Sequence, residues 1–347
     1  MAITSSVSPS REHAKRRYAC VLSLLLGVLL MTVGCQDPTG SFPGLLSSEP
    51  SYPSVVPEGD GAWDSKMVHA PSVLKTDGGY YMWYDGTKES DLYSGWSIGV
   101  AMSQDGATWA RWQSNPVLTP GPEGSWDGAS VHDPRVIWDG SRFLMWYSGY
   151  DHHHWRIGLA TSEDGRRWTK YENNPVLDHG PSGSWDEINV AYSSVMLKDG
   201  AYQMWYQGGD SRGVWRIGYA TSQDGVRWER YNGNPVMTST RESWDNERVF
   251  TPHVLQTKTG YLMLYTGGGL GTGSGPITGL GYALSEDGVR WRKDPRGPTL
   301  ILMAGAQPVT LTALQDGDRL NVWFGEQRDG RLMIRRTATT LISGPKS

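Results

Sequence analysis

The chain has 347 residues, a formal net charge of -4 and a pI near 6.1. That length suits one large all-β domain or two ordinary ones, and mild acidity without a basic stripe excludes a nucleic-acid partner. An aromatic balance of 17 Trp and 17 Tyr against 4 Phe points to indole rings packed between sheets or stacked on sugars.

Residues 1–35 read as an export signal. Arg11, Lys15, Arg16 and Arg17 form a charged region before the apolar run Val21–Leu30, which has signal-peptide length and is short for a stable membrane span. The run ends in Thr32-Val33-Gly34-Cys35, which resembles a bacterial lipoprotein signal except that Thr32 stands where Leu or Val is usual. Lipidation is therefore expected at Cys35, giving an exported protein, periplasmic or at the cell surface, that meets the membrane only through a lipid anchor. Cleavage there would remove Cys20, the other cysteine, so the mature domain is expected to hold no disulfide. Residues 36–58, rich in Pro, Ser and Gly, read as a flexible tether.

From residue 59 to 347 one phrase returns five times. Met82-Trp83-Tyr84 recurs as Met145-Trp146-Tyr147 and Met204-Trp205-Tyr206, then as Leu264-Tyr265 and Trp323-Phe324. Trp83, Trp146, Trp205, Leu264 and Trp323 step by 63, 59, 59 and 59 residues. A fixed period in strand-forming residues with Gly-rich turns predicts an all-β fold, a five-bladed β-propeller of four-stranded antiparallel blades. In the second copy the strands are predicted at Val131–Ile137, Arg142–Tyr147 and Trp155–Ser162, with a short outer strand beginning at Arg167-Trp168-Thr169. Residues 52–57 and 339–344 are both candidates for the missing outer strand of the last blade.

The turn Ser162-Glu163-Asp164-Gly165-Arg166-Arg167-Trp168 recurs at 103–109, 222–228 and 285–291. It resembles a sialidase Asp-box shortened by one residue. Its Gly permits a tight hairpin and its Asp can accept the turn's own amide N–H groups, so Asp105, Asp164, Asp224 and Asp287 are read as structural. Of the 17 tryptophans, 15 sit at repeated positions, which assigns them to packing between blades.

A site is expected where the copies disagree. Aligned on the residue before the proline of the first strand, one column reads Ala70, Asp133, Tyr192, Thr251 and Gln307. Two residues on, a second reads Ser72, Arg135, Ser194, His253 and Val309, and residues two apart share a face of a strand. Both columns are therefore expected to line the central channel. His69 and His132 precede the first column. Loops on the same face add Asp151, Arg156 and Glu326, and Glu187 follows the Trp185-Asp186 pair. The run His152–His154 is read as a solvated loop rather than a metal site.

With Val131-His132-Asp133-Pro134-Arg135-Val136 and Leu144-Met145-Trp146-Tyr147-Ser148-Gly149, the chain resembles the five-bladed glycosidases of families 43, 32, 68 and 130. Family 130, the mannoside phosphorylases and hydrolases, is nearest. Its second blade carries Glu-Asp-Pro-Arg, here His132-Asp133-Pro134-Arg135. The resemblance implies a glycoside hydrolase or phosphorylase acting on oligosaccharides, with Asp133 as proton donor and Arg135 and Arg156 toward phosphate as co-substrate. Glu187, then Glu326 and Glu247, are the partner carboxyls that hydrolysis would use. His69, His132, Arg135, Asp151, Arg156, Tyr192, His253 and Gln307 are the expected substrate contacts. The acid set of families 43 and 32 is not intact, since Ala70 and Tyr192 stand where acids would be expected. That departure leaves a second reading, a non-catalytic propeller that binds glycan or protein at the cell surface. A calcium or sodium ion on the axis is compatible with the architecture, but no residue is assigned to a metal. A monomer is expected.

Overall fold

The computed structural model describes residues 51–270, 276–302, 310–328 and 331–340, and it is built from strands throughout. Four blades follow in chain order, each a meander of three long strands and one short outer strand. Blade 1 comprises Met67–Thr76, Gly79–Thr87, Ser97–Ser103 and Ala110–Arg111. Blade 2 comprises Ser130–Trp138, Phe143–Tyr150, Trp155–Ser162 and Thr169–Lys170. Blade 3 runs from Asn189–Lys198 to Glu229–Arg230, and blade 4 from Arg248–Thr257 to Arg292–Lys293. In blade 4, Leu300–Leu302 also pairs with the third strand.

Blade 5 is assembled from both ends of the domain. Leu311–Asp316, Arg319–Arg328 and Arg331–Thr340 are followed outward by Tyr52–Val55, antiparallel to the last of them. The expected tether over 36–58 is corrected at these four residues, because Val55 is buried and the strand covers an otherwise open sheet edge. The innermost strands of successive blades touch one another around the ring, and the fifth touches the first.

Two repeated devices hold the ring: one joins neighbouring blades, the other ties each blade's opening segment to that blade's own strands. The first uses the second-strand tryptophans. Trp83, Trp146 and Trp205 each donate an indole N–H to the turn carbonyl of the next blade, at Gly165, Gly225 and Gly288. Trp323 closes the circle onto Gly106. Blade 4 carries Leu264 in that position, and among the described residues the blade after it, whose outer strand comes from the N-terminal side, shows no such turn. In the turns themselves the Asp Oδ1 accepts two main-chain amides, as Asp164 does from Arg166 and Arg167.

The second device is the blade-opening Trp-Asp pair. Asp64, Asp127, Asp186 and Asp245 are buried, and each accepts the hydroxyl of a second-strand tyrosine at 3.0–3.2 Å. Each is also paired with a cation, Arg111, Lys170, Arg230 or Lys293. The adjoining Trp ring lies on glycines: a Cβ on Gly158 would stand 2.5 Å from Trp126.

Candidate functional site

The inner strands of blades 1–4 each carry a β-bulge near their start. The pairing shifts between His69 and Ser72, between His132 and Arg135, between Ala191 and Ser194 and between Phe250 and His253. Within each bulge one residue adopts a left-handed conformation: Ala70 at φ 45°, Asp133 at 52°, Tyr192 at 50° and Thr251 at 49°. L side chains rarely take this conformation, and bulges of this kind re-aim a side chain. Here all four residues line one cavity at the centre of the ring, with Arg135 and Thr310 completing its polar wall.

The bulge corrects the two-column expectation. An inserted residue breaks the alternation, so the second column does not share the cavity face. Ser72 and Ser194 instead accept the amides of Val136 and Val254 in the next blade, and His253 Nε2 accepts that of Ala313 at 3.0 Å. His253 is thus a buried clamp, and burial holds its imidazole well below the ordinary range. Arg135 alone of this column reaches the cavity, and its guanidinium lies 3.4 Å from the Ser193 carbonyl and 3.5 Å from Thr312 Oγ1. Burial brings it down to about 10.

The fifth-blade alignment is corrected as well. Strand pairing sets Ser72, Arg135 and Ser194 opposite Trp83, Trp146 and Trp205, and sets Thr312 opposite Trp323. Thr310 and Thr312, not Gln307 and Val309, are therefore the fifth members of the two columns. Gln307 itself lies outside the described residues, as does Cys35.

Beneath the cavity lies a buried polar cluster that sequence reasoning missed. Its centre is Asp85, the residue after the Met82-Trp83-Tyr84 phrase, with no exposed surface. Asp85 Oδ2 is 3.0 Å from His132 Nδ1 and accepts the Asp133 amide at 3.3 Å. Ser148 and Gln207 hold the Tyr192 and Thr251 amides in the same way. Gly325 takes this place in blade 5 because the His69 ring occupies the space a Cβ would fill, 2.2 Å away. His69 also contacts Thr310 Oγ1 at 3.2 Å. The His132 ring is held between Trp96 and Trp155, with centroids at 4.9 and 5.0 Å.

Asp133 is 7 % exposed, and neither of its oxygens has a hydrogen-bond partner. Burial first, then the charge of Asp85, pushes it well above the ordinary carboxylate range, against a smaller pull from the nearby Ser148 hydroxyl and Arg135. Ligand-type atoms of His69, Asp85 and Asp133 lie within 4.8 Å of one another. Three donors fall short of the six to eight oxygens of a calcium site, and Asp85 is already engaged by His132 and an amide.

The remaining expected contacts lie off the cavity wall. Arg156 bridges Asp151 at 2.7 Å and Asp178 at 2.9 Å. Glu187 accepts the amides of Gly183 and Ser211 in a surface loop. Glu326 pairs with Arg335 at 2.9 Å.

A single acid among the residues lining the axial cavity of a five-bladed ring narrows the comparison with known proteins. The sequence profile described as β-1,4-mannooligosaccharide phosphorylase matches residues 87–275, more than half of the chain. The chain belongs to glycoside hydrolase family 130. Its similarity to an uncharacterised protein of Mycobacterium tuberculosis is 29 % identity over 255 residues, covering 70 % of this chain and 80 % of that one. A 1,2-β-oligomannan phosphorylase of Thermoanaerobacter is 30 % identical over 131 residues, 35 % of this chain and 43 % of the relative. Among solved structures, the β-1,2-mannobiose phosphorylase of Listeria innocua shares the fold at a TM-score of 0.64 and 16 % identity, over 84 % of this chain and 96 % of that one. Against the family-130 pattern, His132 replaces a Glu, and the structure gives it an acid partner, Asp85.

Proposed function

We propose that this family-130 protein is a glycoside phosphorylase acting on manno-oligosaccharides, with Asp133 as proton donor to the glycosidic oxygen. The observation that carries this reading is the composition of the cavity wall. Among the described residues that line it, Asp133 is the one acid and Arg135 the one cation. Hydrolysis by paired carboxyl groups requires a second acid about 5–9.5 Å away, facing the same sugar. Asp85, Glu187, Glu326 and Glu247 do not line the cavity, and Glu187 and Glu326 are committed elsewhere. Phosphorolysis needs only an acid and a basic pocket.

In the proposed step a phosphate oxygen attacks the anomeric carbon and the glycosidic C–O bond breaks. The Asp133 proton passes to the leaving oxygen, giving a mannose 1-phosphate and a shortened oligosaccharide. Arg135 holds the phosphate by charge-assisted hydrogen bonds. The test is incubation with β-1,2- and β-1,4-linked manno-oligosaccharides, with and without inorganic phosphate. Phosphate-dependent formation of mannose 1-phosphate supports the reading. Phosphate-independent release of mannose would replace it with hydrolysis, and no turnover on any glycan would favour a binding module.

The same reading keeps the protein outside the cytoplasm, tethered at Cys35. Cys35→Ala should move it from the membrane fraction to the soluble fraction.

A further inference from the structure

A proton donor must hold its proton when substrate arrives, at a pH where an ordinary aspartate has lost it. The floor of the cavity supplies a device for this. Asp85 and Asp133 come from adjacent blades, and both are buried. Their oxygens belong to a group of atoms lying within 4.8 Å of one another, with His69 as the third member. No lysine or arginine pairs with either acid among the described residues; the nearest ion-pair contacts of Asp85 are His132 Nδ1 at 3.0 Å and His69 Nδ1 at 4.0 Å. A carboxylate charge on Asp85 this close, in a buried site, opposes ionisation of Asp133.

Hydrogen-bond donors decide which of the two acids keeps a proton. Asp85 Oδ2 faces His132 Nδ1 and the Asp133 amide, both of which favour a charged carboxylate. Asp133 accepts no main-chain amide, and the Ser148 hydroxyl is the one side-chain donor beside it. Of the two acids, Asp133 is therefore the one placed to keep a proton. The other groups facing Asp133 do not reverse this: the Arg135 charge and the Ser148 hydroxyl pull the other way but are the smaller influences, and Tyr192 is kept neutral by burial.

We propose that Asp85 is a positioning residue whose buried carboxylate keeps the proton on Asp133, so that the acid is loaded before substrate binds. This rests on the reading of Asp133 as proton donor. His132 belongs to the same device: it contacts Asp85 at 3.0 Å and is fixed between Trp96 and Trp155.

The experiment is a carbon-13 titration of the aspartate carboxyl groups in the full-length protein and in Asp85→Asn, beside the pH dependence of kcat/KM. Asn keeps an acceptor for the Asp133 amide but removes the charge. The expected result is an Asp133 transition well above the ordinary carboxylate range in the native protein, moved down by about one pH unit or more in Asp85→Asn. The alkaline limb of kcat/KM should move down with it. An Asp133 transition in the ordinary range in the native protein, or one that Asp85→Asn does not move, would overturn the proposal; Asp85→Ser, which also removes the charge, decides if Asp85→Asn does not fold. A transition that shifts when a chelator is added would also overturn it, by showing a bound cation in place of the proton. A raised Asp133 transition that depends on Asp85, without glycoside turnover, would sink the proton-donor reading alone.

Discussion

The indole N–H of Trp323 in the last blade donates to the Gly106 carbonyl in the first at 3.3 Å. With Tyr52–Val55 as the outermost strand of blade 5, this contact closes the ring. Trp323 is almost wholly buried, so Trp323→Leu removes both the hydrogen bond and much of the packed volume. A loss of about 2–3 kcal/mol is expected in urea unfolding. The Leu264 position, where no acceptor faces the side chain, should gain nothing from Leu264→Trp.

Removing residues through 57 should leave the Arg331–Thr340 edge open and strip Ser51 from Arg335, which it contacts at 3.0 Å. The buried Val55 side chain alone is worth about 1.5–3 kcal/mol. A lower Tm and concentration-dependent association, read by scanning calorimetry and light scattering, are the expected outcomes. An unchanged Tm would contradict the strand's role.

Acid should loosen the four Asp-box turns. In Asp105 the amides of Thr108 and Ala107 lower the carboxyl from 3.8 to about 2, and Asp164, Asp224 and Asp287 are lowered in the same way. A carboxyl depressed in the folded state adds stability that is complete above its unfolded value and is lost as pH falls through the folded one. The urea midpoint should therefore decline from near 3.8 toward about 2. Replacing all four by Asn should flatten that decline.

Arg135→Ala should raise the KM for phosphate by about tenfold to a hundredfold, the range expected for hydrogen bonds to a charged group. Binding of the oligosaccharide alone, measured by calorimetry without phosphate, should change less. Equal losses in both would place Arg135 on the sugar instead.

The ring was legible because symmetry writes packing into sequence: Trp83, Trp146, Trp205 and Trp323 repeat since each latches onto its neighbour. Asp133 and Arg135 were legible through their departure from the repeat. The other polar second-column residues misled, because Ser72, Ser194 and His253 vary while doing one structural job, accepting an amide from the next blade. Proline also misled in blade 5. Counting 11 residues back from Trp323, the spacing that separates Ser72 from Trp83, finds Thr312 where alignment on Pro308 selects Val309. Asp85 could have been found by reading the residue after each second-strand phrase: Asp85, Ser148, Gln207, Thr266, Gly325. The bulges were signalled in three blades by Pro71, Pro134 and Pro252, since proline inside an inner strand fits a bulge, but not in the third, where Tyr192 precedes Ser193.

The most direct test compares two substrates in Asp133→Asn. A manno-oligosaccharide leaves as an alcohol and needs a proton, whereas a 2,4-dinitrophenyl mannoside leaves as a stable phenolate and does not. The account predicts a loss of about 10²–10⁴ in kcat on the oligosaccharide and near-native turnover of the activated mannoside. Equal losses on both substrates, or full activity on the oligosaccharide, would contradict it.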